Sequence, residues 1–204
     1  MADNDVIFKL AACDLLDRAL HVLGLFRDDV FVLNTIKYQL QKQRSRTKLE
    51  AKYGPEGVKR ALEFVLSVHE IESEPDPNDL ATLVAIEDID SGEAVIFATT
   101  TSSADSILLM GDKRALTALC SADSCSSICA RLNGRIFCFE QVISLLCAAD
   151  FDGAKANIVS ALSCDIVLQI AFAGQLDATL EDVNDGLNSY IADLRSKTGE
   201  LLII

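Results

Sequence analysis

Tryptophan is absent from this 204-residue chain, which has only two histidines, three prolines and three tyrosines. So few histidines leave little room for a Ser-His-Asp triad or a histidine-rich metal site: His21 falls on a predicted helix and His69 in a short predicted strand. No glycine-rich phosphate loop is present. Long apolar runs are missing too. The stretch from Ile158 to Gly174 is interrupted by Ser160, Ser163, Asp165 and Gln169, well short of a bilayer span. Met1-Ala2-Asp3-Asn4-Asp5 is acidic where a secretory leader would be basic and then apolar, so an intracellular, cytoplasmic protein with no membrane partner is expected. The seven cysteines are odd in number and irregularly spaced, which reads as reduced thiols packed as small hydrophobes. Cys120, Cys125, Cys129 and Cys138 crowd together, but they form no C-x-x-C pair and neither histidine is near, which disfavours zinc. Positive charge is also scarce. Eighteen Lys and Arg against 31 Asp and Glu give a net charge of −13, so nucleic acid is repelled by the chain as a whole and would need a local basic patch.

Half of the residues are apolar, enough for a sizeable core and incompatible with general disorder. Ile7, Leu10, Ala11, Leu15, Ala19 and Leu23 recur at helical intervals, with Gly24 as a stop. Val30–Leu33 reads as a strand, with Asn34 and Thr35 capping a helix after it. Two helices are expected between Ile36 and Leu66, the second begun by Pro55. A short strand at 68–71 leads into an acidic linker at 72–79 and a helix at 80–86. Asp90–Glu93 opens a helix to Thr101, 106–110 is the clearest buried strand, and a helix runs from Lys113 to Leu119. A last strand at 135–139 leads into a helix at 140–147. This alternation predicts an α/β sandwich around a mostly parallel central sheet over residues 1–148. Residues 149–204, with helical periodicity at 151–172 and 179–197, predict a helical C-terminal extension.

In such a sheet, functional groups gather beyond the carboxyl ends of the strands. Asp3, Asp5, Asp90, Glu93 and Asp112 all fall at places of that kind. Carboxylates brought together there repel one another unless a cation neutralises them, and Mg²⁺ or Mn²⁺ suits an all-oxygen donor set. Each acid also has a structural reading. Asp90 and Glu93 match a capping box, Asp112 can cap the helix after it, and Asp3 and Asp5 can favour a helix N-terminus.

The scarce bases are concentrated. Lys37, Lys42, Arg44, Arg46, Lys48, Lys52, Lys59 and Arg60 face only Glu50 and Glu56, so residues 37–60 carry +6 and the rest of the chain −19. This segment is the candidate phosphate-holding surface, and Tyr38 and Tyr53 beside it can stack bases or pack. A solvated helix face is the alternative. Glu70 to Glu93 holds nine acids and no base.

Asp3-Asn4-Asp5-Val6-Ile7, Asp90-Ser91-Gly92-Glu93-Ala94, Leu108-Leu109-Met110-Gly111-Asp112-Lys113 and Asn133-Gly134-Arg135-Ile136-Phe137 together resemble a PIN domain over residues 1–148. The resemblance implies a Rossmann-like α/β/α sandwich and a nuclease using one or two Mg²⁺ or Mn²⁺ ions. Asp3, Asp90, Glu93 and Asp112 would be the catalytic metal ligands. Asp5 would assist, and Gln39 would stand where the family has a glutamate, holding a metal-bound water. Such nucleases cut RNA or DNA; the expected substrate is single-stranded RNA, which the basic segment would position through Lys37, Lys42, Arg44, Arg46 and Lys48. Many such domains are bacterial type II toxins, which implies a cognate protein inhibitor. The alternative is a catalytically degenerate relative that binds a protein partner or itself, to which the apolar end Leu201-Leu202-Ile203-Ile204 would contribute.

Overall fold

The structure, a computed structural model, describes residues 1–204. The first apolar-periodic segment forms two helices, α1 (Asn4–Ala12) and α2 (Leu16–Leu23), because Asp14 takes a left-handed backbone (φ 54°) between them. Gly24, at φ 68°, ends α2 as expected. After β1 (Phe31–Val32) come α3 (Thr35–Gln41) and α4 (Gln43–Tyr53), separated by the extended backbone of Lys42. Next come α5 (Pro55–Val65), with its proline at the first position, and β2 (His69–Glu70). The acidic linker is shorter than expected: Asp76 accepts the backbone N–H groups of Asn78 and Asp79 and so starts α6 (Pro77–Val84). The chain continues through α7 (Ser91–Ser102), β3 (Leu108–Met110), α8 (Lys113–Ser121), α9 (Ser126–Leu132) and β4 (Ile136–Cys138). It ends with α10 (Phe139–Ala149), α11 (Phe151–Val159), α12 (Ile166–Ala171) and α13 (Leu180–Thr198).

The expected Rossmann-like sandwich around a mostly parallel central sheet is not what forms. The chain is 68% helical and 6% strand. Its extended segments make two two-stranded parallel pairs, β1 with β2 and β3 with β4. Only single bridges add to them: Ala2 pairs with both Val32 and Leu109 and so links the two pairs, and Leu202 pairs with Ile136. Each strand is only two or three residues long, and β2 is His69 and Glu70, so each ladder is too short to serve as a central layer. The apolar surface is buried mainly by helices. A short apolar run does not disclose how much of itself will pair, which is why the alternation overstated the sheet.

Residues of the C-terminal segment, such as Ile158, Val167, Leu168 and Phe172, lie in the same apolar cluster as Val6, Ile7 and Leu10 of α1. Leu201 and Leu202 are buried in a second cluster with Leu108, Met110 and Ile136, leaving Ile204 as the exposed end of the apolar tail. No helix is long and apolar enough to cross a membrane.

Arg135 clamps the approach to β3. Its guanidinium donates to the carbonyl oxygens of Thr100 and Ser103 at the end of α7, of Ser106 in the loop before β3 and of Arg131 in α9. Arg135→Met should lower stability by about 2–4 kcal/mol, because several carbonyls lose a charged donor at once. A urea midpoint unchanged from wild type would show that water replaces the clamp.

Candidate functional site

Six stretches of chain, between residues 3 and 169, meet at a cleft of about 880 Å³. Its lining includes Asp3, Asp5, Gln39, Asp90, Glu93 and Asp112, so the sequence-predicted acids and the amide do converge. They arrive there because each acid lies at or within the first turn of a helix. Asp3 and Asp5 belong to the start of α1, Asp90 and Glu93 to that of α7, and Asp112 to that of α8. The α1 and β3 sides approach closely: a Cβ at Gly111 would come within 2.6 Å of Asp5 Oδ2. Only glycine leaves that space.

The structural readings of the acids are realised too. Asp90 Oδ1 accepts the N–H groups of Gly92 and Glu93 at 2.7 and 2.9 Å, and Glu93 Oε2 accepts the Asp90 N–H at 2.7 Å, a complete capping box. Asp112 Oδ1 caps α8 through Arg114 N and Ala115 N, while its Oδ2 meets the Arg114 guanidinium at 3.1 Å.

The cleft also holds cations, among them Lys9, which the sequence alone does not single out. Lys9 Nζ, nearly buried, lies 2.5 Å from Asp5 Oδ2 and 2.7 Å from Asp165 Oδ2, and 5.0 Å from the Phe139 ring centroid. Burial alone would lower the Lys9 pKa, but the two carboxylates more than reverse this and raise it. Asp5 Oδ1 also takes the Tyr53 hydroxyl at 3.0 Å, with Lys52 at 3.7 Å. Lys113 and Arg114 complete the basic part of the lining. The Asp5–Lys9 spacing of four residues on a helix was a usable signal in the sequence. Nothing local marked Asp165 as their partner.

After this pairing, Asp3, Asp90 and Glu93 are the lining acids with no basic side chain in salt-bridge contact. Burial, then the Asp5 charge, raises the Asp3 pKa to about 6 against the backbone N–H groups of Gly111, Asn4 and Asp5. Glu93 is raised to about 7, first by burial and further by the charges of Asp90, Asp112 and Asp3, with the Asp90 N–H opposing. Asp112 goes the other way. Burial pushes it up, but Arg114 and the capping N–H groups carry it below the ordinary carboxylate value.

The donor chemistry suits a hard cation: carboxylate oxygens with unbalanced negative charge. Yet no three His, Cys, Asp or Glu side chains stand close enough to hold an ion between them. The arrangement therefore fits a hydrated ion met by one or two carboxylates, as Mg²⁺ is commonly held beside substrate phosphates, and does not fit a closed protein chelate.

The predicted basic surface is only partly beside this cleft. Lys42, Arg44 and Lys48 are exposed, Arg46 pairs with Glu50 at 2.8 Å, and Lys37 pairs with Glu70 at 2.5 Å. None of the five lines the cleft, which α4 meets through Leu49, Lys52 and Tyr53. Tyr53 is buried against Phe8, whereas Tyr38 is 71% exposed and free to stack. The C-terminal segment supplies a further wall through Ser163, Cys164, Asp165, Ile166, Val167 and Gln169.

Comparison with protein-family models, with curated proteins and with solved structures finds no match to this chain.

Proposed function

We propose that this cleft is the active site of a nuclease that hydrolyses phosphodiester bonds in single-stranded RNA with Mg²⁺ or Mn²⁺. The observation that carries the reading is the convergence of acids from three distant stretches, with Asp3, Asp90 and Glu93 left without basic partners. These are also the acids that the PIN resemblance marks. When bound, the ion supplies positive charge to a phosphate and a more acidic water. One or two of Asp3, Asp90 and Glu93 would meet the hydrated ion, while Asp112 is engaged in capping α8 and pairing with Arg114. Glu93 Oε2 accepts the Asp90 N–H, which leaves Oε1 as the oxygen that would take up a proton. Lys52, half exposed at the cleft wall, would hold a phosphate oxygen, whereas Lys113 is paired with buried Glu140 at 2.5 Å; exposed Lys42, Arg44 and Lys48 would draw the strand towards the cleft.

Glu93→Gln keeps an oxygen for the capping box and removes only the charge. Cleavage of a fluorescent single-stranded RNA in Mn²⁺ is expected to fall about 10²-fold or more, with the melting temperature in metal-free buffer preserved or raised. An unchanged rate would remove Glu93 from the site.

A second reading, a protein-interaction module that pairs with itself or with an inhibitor, is favoured by one observation. Ile166 and Ile170, one turn apart on α12, are 63% and 52% exposed, and Ile166 lines the cleft. No cation-induced rise in melting temperature and no metal-dependent cleavage, with dimerisation retained, would select it.

A further inference from the structure

All seven cysteines are free thiols. Two of them, 151 positions apart in the chain, face each other in the core with Sγ atoms 4.0 Å apart: Cys13 at the C-terminal cap of α1, and Cys164 at the end of the 3-10 turn Leu162–Cys164. A disulfide needs about 2.05 Å, so an approach of about 2 Å closes the bond. Both residues sit in a cap or a turn, where the backbone can yield that distance. The other close pair, Cys120 and Cys129 at 3.7 Å, lies within α8 and α9, whose helical backbones resist it.

Although both thiols are buried, Cys164 belongs to the wall of the acidic cleft and also to that of a smaller pocket of about 280 Å³ beside Lys52, Gly54, Arg60 and Ser160. Cys13 lines neither opening, so a small oxidant such as hydrogen peroxide would reach Cys164 first. The hydrogen bond with Cys13, and further the Lys9 ammonium, hold the Cys164 thiol below its ordinary value against burial and the Asp165 and Asp5 charges, while the same bond raises Cys13. Cys164, the one of the two that lines both openings, is the thiol expected to react first. The position has consequences for the cleft, because the next residue, Asp165, holds Lys9 at 2.7 Å.

We propose that Cys13 and Cys164 form a redox modification site, oxidised by a peroxide to an intramolecular disulfide that fastens the C-terminal wall of the cleft to α1. The Cys164 thiolate attacks one oxygen of hydrogen peroxide, the O–O bond breaks, and hydroxide leaves a sulfenic acid behind. The Cys13 sulfur then attacks the Cys164 sulfur. The S–S bond forms, the S–O bond breaks, and the departing hydroxide leaves as water with the Cys13 proton. The proton released when Cys164 first ionised converts the other hydroxide to water. In total two thiols lose two electrons and two protons, and one peroxide becomes two waters. This inference does not depend on nuclease activity.

The test uses the full-length reduced protein exposed to hydrogen peroxide, followed by alkylation of remaining thiols, proteolysis and mass mapping. A Cys13–Cys164 linked peptide, lighter by two hydrogens and released by dithiothreitol, is expected. The oxidised protein should melt at a higher temperature, because the bridge ties residues 151 apart and restricts the unfolded chain. Cys13→Ala should lose both the link and the gain in melting temperature. Wild-type protein with both thiols still alkylated, or with Cys120–Cys129 as its sole disulfide, would overturn the proposal whether or not the variant folds.

Discussion

Asp3→Asn is expected to be more stable than wild type at pH 8 in metal-free buffer, by about 1–3 kcal/mol, while losing metal-dependent cleavage. Asp3 is raised from 3.8 to about 6 by burial and by Asp5, so the folded protein binds its proton more tightly than the unfolded chain does. Stability from this group is therefore greatest below the unfolded value, declines as pH rises between about 4 and 6, and stays low above that. Two pKa units correspond to about 3 kcal/mol, an upper limit because an asparagine amide must also replace the carboxylate that accepts nearby N–H groups. The amide cannot ionise, so the variant escapes the decline and the difference from wild type disappears near pH 4. Glu93, raised to about 7, acts with the same sign over a window reaching higher pH. Mg²⁺ should raise the melting temperature of wild type more at pH 8 than at pH 5, and that of Asp3→Asn less than wild type at either pH. Urea titrations at the two pH values check both statements. A variant less stable than wild type at pH 8 would show that the Asp3 carboxylate is stabilised in place.

The acids of the cleft were legible because their position depends on short-range rules. A residue that caps a helix after an extended segment is delivered to the same end of the molecule as others like it, and Asp90-Ser91-Gly92-Glu93 announces such a start in four letters. Pro55 and Gly24 worked similarly for the ends of helices. The partners of those acids were less visible. Asp165 lies 156 residues after Lys9 in sequence, and only packing of the C-terminal helices brings it there. The sheet was overread for a different reason. Val30–Leu33 and Val68–Ile71 have strand composition, but ladder length depends on tertiary neighbours, and pairing stops at Phe31–Val32 with His69–Glu70. The basic run had the reverse problem: it was plain in the sequence, yet Lys42 is exposed at the break between α3 and α4, and the rotation of α4 turns Arg44 and Lys48 outward and brings Lys52 to the cleft.

Lys9→Met should have the largest effect on stability, a loss of about 3–5 kcal/mol at pH 7.5. Methionine can occupy the volume beside Phe139, so the cost comes from the groups left behind. Asp165 is 8% exposed at its side chain and Asp5 29%, and each loses its contact with Lys9 at once. Asp5 retains the Tyr53 hydroxyl and the more distant Lys52, whereas Asp165 retains only the N–H groups of Val167 and Leu168 that it caps. In wild type, burial pushes Asp165 up but Lys9 brings it below the ordinary value, so the pair contributes stability above the unfolded carboxylate pKa and loses it as pH falls. Without Lys9 the balance reverses and Asp165 becomes a buried acid with a raised pKa. The deficit of the variant should consequently shrink as pH is lowered from 7.5 to about 5, because protonation removes the unpaired charge. Lys9→Met with Asp165→Asn should recover part of the loss at pH 7.5, and a double-mutant cycle measures how much. A deficit independent of pH would mean that Lys9 supports the fold through packing against Phe139 and not through its charge.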